Sequence, residues 1–302
     1  MFDTITSLKV AKLLLSEHYG DYMKELPTPT IDLSPATMPR GSLHQRTNAT
    51  NPTSLASISE RGQISVSWAR HLDEVRAAQK LRYSIFVDEM GARISSPLEG
   101  HDIDSFDDFC EHLIVRDQSS NEVVGTYRVL TPVQAKRMGG NYTETEFDLS
   151  GLRDIQDRMV ELGRSCVHPD YRQGSVILSL WGALAEFMVR NQLDIMIGCA
   201  SIPMLHNGVV SGQAAASIWS QLKETHMVPV EQQVKPWLAL PVEQFTTLQH
   251  VDPPALIRGY LKLGAKVLGA PAWDPDFNTA DLPMLMRICD LPSRYRKHFL
   301  GH

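Results

Sequence analysis

The chain has 302 residues and a formal net charge of −6 at pH 7. That length suits one large α/β domain or two smaller ones, and the acidic balance argues against bulk nucleic-acid binding, which usually needs a basic face. No run approaches the ~20 apolar residues of a membrane span, and the N-terminus lacks a signal-peptide pattern. The four cysteines are widely scattered without metal-like spacing, so we expect free thiols, no metal and a cytoplasmic location.

The first 62 residues differ in pattern from the rest of the chain. Apolar periodicity over 5–23 predicts a short helix, which either docks on the main domain or lies on a membrane surface. The segment 25–61 is rich in Pro, Ser, Thr and Asn, a composition typical of a linker. We therefore expect an N-terminal helix and flexible linker arm over 1–62, followed by one folded domain over 63–302.

The folded domain begins with an alternating strand pattern at Ile64–Trp68 and a helix-spaced apolar pattern over 72–86. Two further strands, 111–116 and Val123–Leu130, flank a turn of suitable chemistry and predict a hairpin. Short helices are expected at Pro132–Met138 and near 152–159.

The stretch 159–201 is the most informative, because it reads as a strand, a tight polar turn, a helix and a second strand. The first strand carries the charged residues Glu161 and Arg164, so it is not a plain core strand. The turn carries Arg172 and Gly174 at the mouth of the helix, where unpaired backbone N–H groups favour an anion. Such a unit suits the binding of a phosphate-bearing donor with chemistry beside it. Beyond it we expect helices at Gln213–Thr225 and 253–263, an extended connection over 228–248, and closing strands at 266–269 and 282–288.

Three charged residues lie within predicted strands: Arg128, Glu161 and Arg164. Buried charges are costly unless they are paired, so we expect these three to form one ion network. Glu161 and Arg164 are three apart and would face opposite sides of a regular strand, but a β-bulge would bring them together. The network either only fixes the fold or places a carboxylate beside a cleft, where it can accept a proton from an attacking amine.

An acidic loop over 101–108 lacks the glycine and the terminal glutamate of a calcium loop, so we discount a metal site there. It is either a solvated loop with helix caps or a cluster that recognises a cationic substrate or a basic partner. The chain also lacks a G-x-S-x-G elbow, a Walker loop and a G-x-G-x-x-G fingerprint. These absences disfavour a serine hydrolase and a P-loop or dinucleotide site.

The strand–turn–helix at Val167-x-Pro-x-Tyr-Arg172 resembles the GNAT acyltransferase core, whose turn binds the pyrophosphate or phosphopantetheine of an acyl carrier. A narrower resemblance is to acyl-homoserine-lactone synthases, which take acyl chains from acyl carrier protein. It rests on Arg82-x-x-x-Phe86-Val87, Asp104 and Asp107, Gly125-x-x-Arg128 and Glu161-x-x-Arg164. The tail, 259–265 and 271–281, looks like that of the ornithine N-acyltransferases that make lyso-ornithine lipid, which share this core.

This resemblance implies an α/β fold with a GNAT-like central mixed, mostly antiparallel sheet, flanking helices and a C-terminal extension. It implies transfer of a 3-hydroxyacyl chain from acyl carrier protein to the α-amine of ornithine, giving lyso-ornithine lipid. No cofactor is expected beyond the phosphopantetheine thioester of the donor. Acyl carrier protein and a small amino acid are the expected partners, nucleic acid is not, and peripheral contact with the inner membrane face stays open.

The resemblance also implies roles for individual residues. Glu161 is the candidate general base, and Arg164 and Arg128 organise the site and neutralise developing charge. Backbone N–H groups near 165–167 would polarise the thioester carbonyl. The candidates for donor binding are Arg82, Phe86, Val167, Arg172 and Gly174. The candidates for binding the ammonium groups of ornithine are Asp104, Asp107, Asp274 and Asp276.

Three alternatives remain at this point. An acyl-homoserine-lactone synthase would use the same donor, but the tryptophan expected after the Phe86 motif is absent from the run 88–92. An acyltransferase for another amino acid, such as glycine or tyrosine, would lack a carboxylate near the side-chain end of its substrate. A catalytically silent GNAT fold would act only as a binding module.

Overall fold

The structure is a computed structural model that describes residues 63–206, 209–246 and 251–300. The predicted N-terminal helix and linker arm therefore lie outside the described residues. Within those residues, none of the helices combines the length and the apolar character needed to cross a bilayer.

One eight-stranded sheet dominates the described part of the chain. Its strands, in chain order, are β1 (Ile64–Trp68), β2 (Glu111–Asp117), β3 (Val123–Leu130), β5 (Met159–Val167), β6 (Ile195–Pro203), β10 (Lys266–Val267), β11 (Ala272–Asp274) and β12 (Thr279–Arg287). The spatial order is β1-β2-β3-β5-β6-β12-β10, with β11 also beside β12. Every pairing is antiparallel except that of β5 with β6. This confirms the mixed, mostly antiparallel sheet.

Two short ribbons accompany this sheet. They pair β4 (Phe147–Asp148) with β9 (Lys235–Pro236), and β7 (Leu205–His206) with β8 (Val209–Val210). The described α-helices are α1 (Leu72–Tyr83), α2 (Pro132–Met138), α3 (Ser175–Arg190), α4 (Gln213–Thr225), α5 (Ala255–Lys262) and α6 (Ser293–Leu300).

Both faces of the sheet are covered by helices. Helix α3 repeats an apolar residue every four positions (Val176, Leu180, Leu184 and Met188), and this stripe packs on one face of β2, β3 and β5. On the opposite face, α1 packs Ala78 and Leu81 against Ile114, Val123 and Cys166. The alternation along β2 explains the division, because Leu113 and Val115 lie on the α3 face and Ile114 lies on the α1 face.

Most elements agree with the sequence predictions within a few residues. The first strand, the hairpin, the helix at Pro132–Met138 and the central strand–helix–strand unit are confirmed. The helix predicted over 72–86 instead ends at Tyr83 and continues as a π-helical turn, Ser84–Glu89. The segment predicted as helical near 152–159 is a 3₁₀ run, Ser150–Arg158. The last strand begins at Thr279, three residues before the predicted start.

Candidate active site

A cleft opens between β5 and β6, the two parallel strands. Their pairing covers only Met159–Glu161 and Ile195–Ile197, and it stops there. The next residue of β6 is Gly198, where a side chain would meet the Leu162 carbonyl oxygen at 2.2 Å, so the close approach requires glycine. Beyond this point both strands line a cavity instead of each other.

That cavity has a volume of about 710 Å³ and a largely apolar wall. Ile85, Phe86, Ile177, Trp181 and Leu256 contribute to the apolar part. A cavity of this kind, apolar with a few convergent polar groups, is the usual form of a small-molecule site. It has the character needed to hold a fatty chain.

A β-bulge shapes the middle of β5, as the sequence indicated. Arg128 pairs with Gly163 and Thr126 pairs with Cys166, so two residues of β5 oppose the single Tyr127 of β3. Arg164, one of these two residues, has a φ of 49°, which is uncommon for a non-glycine residue. As a result Glu161 and Arg164 line the same cavity.

Three arginines and three aspartates form a buried group at the edge of the cavity, which we call the arginine–aspartate cluster. Arg82 Nε lies 2.8 Å from Asp102 Oδ2, and both terminal nitrogens of Arg82 lie 2.8 Å from the two carboxylate oxygens of Asp107. Arg82 also donates to the Asp102 carbonyl oxygen. Its side chain is completely buried, and this bidentate geometry is the strongest form of the ion pair.

The other two arginines complete the arginine–aspartate cluster. Arg128 Nη1 lies 2.6 Å from Asp104 Oδ1 and 3.4 Å from Asp107 Oδ1. Arg164 lies 3.1 Å from both Asp102 Oδ2 and Asp104 Oδ2. The Arg164 guanidinium also lies over the ring of Tyr142, at 4.9 Å from its centroid.

Formal charges in this cluster cancel, and the pKa shifts reflect that balance. Burial opposes the charged form of Arg82, but Asp107 and Asp102 outweigh burial, so its pKa is raised. Burial likewise opposes the ionised form of Asp107, yet Arg82 and Arg128 hold its pKa well below the usual range. Arg82 and Asp107 therefore both stay charged at neutral pH without any ligand.

Glu161 lies apart from that cluster, so the expectation of a single network with Arg128 and Arg164 is wrong in this respect. Its two carboxylate oxygens accept hydrogen bonds from the backbone N–H groups of Tyr142 and Thr143, each at 2.6 Å, and from the Thr143 hydroxyl. Those N–H groups belong to a 3₁₀ turn, Tyr142–Thr145. Burial raises the pKa of Glu161 despite these hydrogen bonds. A raised pKa suits a carboxylate that must accept a proton near neutral pH.

At the other end of the cavity, α3 presents its N-terminus. Gly174 caps the helix with a φ of 107°, a conformation that favours glycine. Arg172 lies just before it, donates to the Val167 carbonyl oxygen at 3.0 Å, and forms a bidentate pair with Glu89 at 2.7 Å. The Arg172 side chain is 43% exposed. An exposed pair of this kind is weakly held, so it can open for an anion.

A second group of acidic side chains, which we call the carboxylate cluster, consists of Glu146, Asp274 and Asp281. One carboxylate oxygen of each lies within 4.8 Å of those of the other two. Asp274 and Asp281 line the cavity, and Glu146 lies behind them. Burial and the neighbouring Asp281 and Asp274 raise the pKa of Glu146 to about 9, and burial raises that of Asp281 to about 6. No cation balances these three groups among the described residues.

The structure brings most of the predicted catalytic and donor residues to one cavity. All three predicted catalytic residues line it, as do four of the five predicted donor residues: Glu161, Arg164, Arg128, Phe86, Val167, Arg172 and Gly174. Arg82 is fully buried in the arginine–aspartate cluster and is not part of the cavity wall.

The predicted amine-binding residues are dispersed. Asp274 lines the cavity. Asp104 and Asp107 face the arginines of the arginine–aspartate cluster and are not in the wall. Asp276 is exposed, and its backbone N–H donates to Asp274 Oδ1 at 2.8 Å.

Sequence reasoning did not single out Asp102, Glu146 or Asp281. Asp102 sits in the same acidic loop as Asp104, and no local pattern distinguishes the two. The sequence does carry a signal for Asp281, because it is a charged residue at the start of the apolar run 282–286. A charge in a buried strand is costly unless it is paired or hydrogen-bonded, so such a residue is a candidate for a functional role. Glu146 lies in an irregular connection and carries no such signal.

The chain is similar in sequence to known acyltransferases. The Acetyltransferase (GNAT) domain family matches residues 81–182. The L-ornithine N(alpha)-acyltransferase of Agrobacterium fabrum is 34% identical over 265 residues, covering 80% of this chain and 86% of that protein. Its counterpart in Rhodobacter capsulatus is 34% identical over 246 residues, covering 76% and 92%. Among solved structures, the AHL synthase LasI aligns with a TM-score of 0.45 and 13% identity, over 80% of this chain and 96% of that one.

The mixed sheet, the cleft between its parallel strands and the family match together define an acyltransferase of the GNAT type. Within that class, the chain belongs to the family of L-ornithine N(alpha)-acyltransferases. It is therefore an enzyme, and the alternative of a silent binding module is set aside.

Proposed function

We propose that this enzyme moves a 3-hydroxyacyl chain from the phosphopantetheine thioester of acyl carrier protein to the α-amine of L-ornithine, giving lyso-ornithine lipid. The names of its relatives support the amine. The observation that carries the proposal is the meeting of Glu161 and Arg164 with an apolar cavity of about 710 Å³ where β5 and β6 separate. A thioester is already activated, so the enzyme must supply orientation, a base and charge stabilisation.

Glu161 supplies the base in this scheme. The amine nitrogen attacks the thioester carbonyl carbon, and the proton lost from nitrogen passes to Glu161, directly or through a water. The C–S bond then breaks and the pantetheine sulfur leaves as a thiol after taking up a proton. The hydrogen bonds from Tyr142 and Thr143 fix the orientation of the carboxylate, at 2.6 Å from each N–H nitrogen.

Arg164 and Arg128 line the cavity beside this base and carry fixed positive charge. Their aspartate partners hold both guanidinium groups in place, at 2.6 to 3.1 Å. Preorganised charge of this kind stabilises a developing oxyanion without reorganisation cost. Backbone N–H groups near 165–167, in the part of β5 that has separated from β6, are our candidates for direct contact with the thioester oxygen.

The donor enters, in this proposal, along the N-terminus of α3. The phosphate of the pantetheine arm would take the position before Gly174, where the helix offers unpaired N–H groups. Arg172 would leave Glu89 and pair with that phosphate. The acyl chain would occupy the apolar wall, where each buried methylene contributes about 0.8 kcal/mol. We place the product's release at the inner membrane face, since the product is an amphiphile.

The test is an assay of the purified full chain with matched donors and amines, read by mass spectrometry. Donors are 3-hydroxyacyl carrier protein and the same chain on coenzyme A, and amines are ornithine, S-adenosylmethionine, glycine and tyrosine. We expect N-acylornithine from the carrier-protein donor. Preferred acylation of S-adenosylmethionine, glycine or tyrosine would contradict the amine assignment, and preference for coenzyme A would contradict the donor assignment.

A further inference from the structure

We propose that the carboxylate cluster, Glu146, Asp274 and Asp281, binds the side-chain ammonium of the substrate amino acid and thereby selects a diamino acid over a neutral one. The inference rests on the proposed function, because it concerns the same cavity. The carboxylate cluster is separate from both Glu161, the proposed base, and the arginine–aspartate cluster.

The first observation is that three of the six carboxylate oxygens in this cluster have no hydrogen-bond donor within the described part of the chain. Both carboxylate oxygens of Glu146 and one of Asp281 are buried and have no hydrogen-bond partner among the described residues. Asp281 is 4% exposed, yet it lines the cavity. Leaving a buried acceptor unsatisfied costs about 1–3 kcal/mol, and more when it is charged. A cationic group that enters from the cavity would remove that cost.

The second observation is the geometry. An ammonium donates three hydrogen bonds in tetrahedral directions at about 2.8 Å, which places its acceptors roughly 4.6 Å apart. The three carboxylate oxygens lie within 4.8 Å of one another. This spacing admits one ammonium, and the chelation experiment below tests for a divalent metal in its place.

The third observation is position. Cys199 lines the cavity together with Glu161, Asp274 and Asp281. Its sulfur is 3.8 Å from the Thr143 hydroxyl that donates to Glu161. One small substrate can therefore lie with its α-amine toward Glu161 and its side-chain ammonium toward Asp274 and Asp281.

The experiment compares ornithine with 2-aminopentanoate, which has the same carbon chain without the terminal amine. Kinetics are measured for the wild-type chain, Glu146→Gln, Asp281→Asn and Asp274→Asn. The control is Glu243→Gln, an exposed glutamate outside the cavity wall. We expect each cluster variant to raise KM for ornithine at least tenfold. The kcat/KM for 2-aminopentanoate should stay within about twofold of the wild-type value. The variants should therefore lose the preference for ornithine over 2-aminopentanoate. Glu243→Gln should retain it.

Calorimetric titration of the two amines onto the same proteins, without donor, keeps the test independent of turnover. Tighter binding of ornithine than of 2-aminopentanoate to the wild-type chain, lost in the variants, supports the inference even if the donor is misassigned. Equal binding of the two amines, or a preference that survives in all three variants, overturns it. Wild-type activity that is abolished by a chelator and restored by Mg²⁺ or Ca²⁺ also overturns it, in favour of a metal site. Acylation of neither amine while ornithine still binds would count against the proposed function alone.

Discussion

The arginine–aspartate cluster and the carboxylate cluster are both built from buried charges, but only the first is balanced. Arg82, Arg128 and Arg164 each face aspartates at 2.6 to 3.1 Å, whereas no arginine or lysine among the described residues pairs with Glu146 or Asp281. A balanced buried group is complete in the empty protein and acts as scaffold. An unbalanced one is complete only when a cation arrives.

Glu161 stands between these two cases. It is a buried carboxylate like Asp281, but N–H groups satisfy it instead of guanidinium groups. Burial raises the pKa of Glu161, and the hydrogen bonds from Thr143 and Tyr142 lower it by less, so the pKa stays above its usual value. Under the two proposals above, this comparison separates three uses of a buried carboxylate in one cavity region: structural support, proton transfer and ligand binding.

The largest effect is expected from breaking the balanced cluster. Arg82→Met removes the guanidinium and leaves Asp102 and Asp107 partly uncompensated, which should cost about 3–5 kcal/mol of unfolding free energy. Urea unfolding of the purified chain measures this. Arg190→Met is the matched control, because Arg190 pairs with Glu186 on the surface, and that pair should contribute less than about 1 kcal/mol. Equal losses in the two variants would show that the arginine–aspartate cluster contributes no special stability.

Glu161→Gln is the next largest change and addresses catalysis. We expect the single-turnover rate of acyl transfer to fall about 100- to 10,000-fold, the usual contribution of a general base. The fold should persist, since the glutamine oxygen can still accept both hydrogen bonds from Thr143, and only the hydrogen bond from the Tyr142 N–H is lost. The melting temperature and the near-ultraviolet circular dichroism spectrum check this. A rate within twofold of the wild type would remove Glu161 from the role of base.

Arg172→Ala tests the exposed pair at the start of α3. We expect KM for the carrier-protein donor to rise about tenfold, equivalent to about 1.4 kcal/mol, with kcat and KM for ornithine unchanged. Arg153→Ala is the control, because Arg153 is exposed and not part of the cavity wall. A change confined to KM for ornithine would mean that the donor lies elsewhere.

The last expected effect is a pH dependence of stability caused by the carboxylate cluster. The folded chain holds a proton on Glu146 more tightly than the unfolded chain does, with a pKa of about 9 against 4.5. Its contribution is therefore present at low pH and is lost as pH rises from about 4.5 to about 9. Asp281, Asp274, Cys199 and Tyr142 are the titratable groups that face Glu146.

Relative to Glu146→Gln, the wild-type chain should thus lose melting temperature across this range, by about 2–4 °C for each 1 kcal/mol. Saturating ornithine should remove the difference, because a bound ammonium stabilises the ionised carboxylates. Parallel melting curves for the two proteins from pH 5 to pH 9 would contradict the assignment.

Local patterns predicted the framework well. Alternation identified β1, β2 and β3, and helical spacing identified α1, because burial repeats with a fixed period in each element. The charges of Arg128, Glu161 and Arg164 within strands pointed to the cavity, and the bulge at Arg164 followed from their spacing. These features depend on neighbours in sequence.

Partners distant in sequence could not be predicted in the same way. Glu161 is held by the backbone of a 3₁₀ turn 18 and 19 residues earlier, and backbone N–H groups carry no residue signature. Glu146 lies just before β4 and Asp281 lies on β12, so the two meet only through the tertiary fold. The sequence therefore indicated which strands carry chemistry, but not which carboxylates would end up without a cation.

The most direct test of the whole account is the position of the acyl group in the product. Purified enzyme, 3-hydroxyacyl carrier protein and ornithine labelled with ¹⁵N at the side-chain amine give a product that tandem mass spectrometry can assign. If Glu161 takes the proton while the carboxylate cluster holds the far ammonium, the acyl group will be on the unlabelled α-nitrogen. Acylation of the labelled nitrogen would contradict the account, because the amine held as an ammonium would then be the one that reacts.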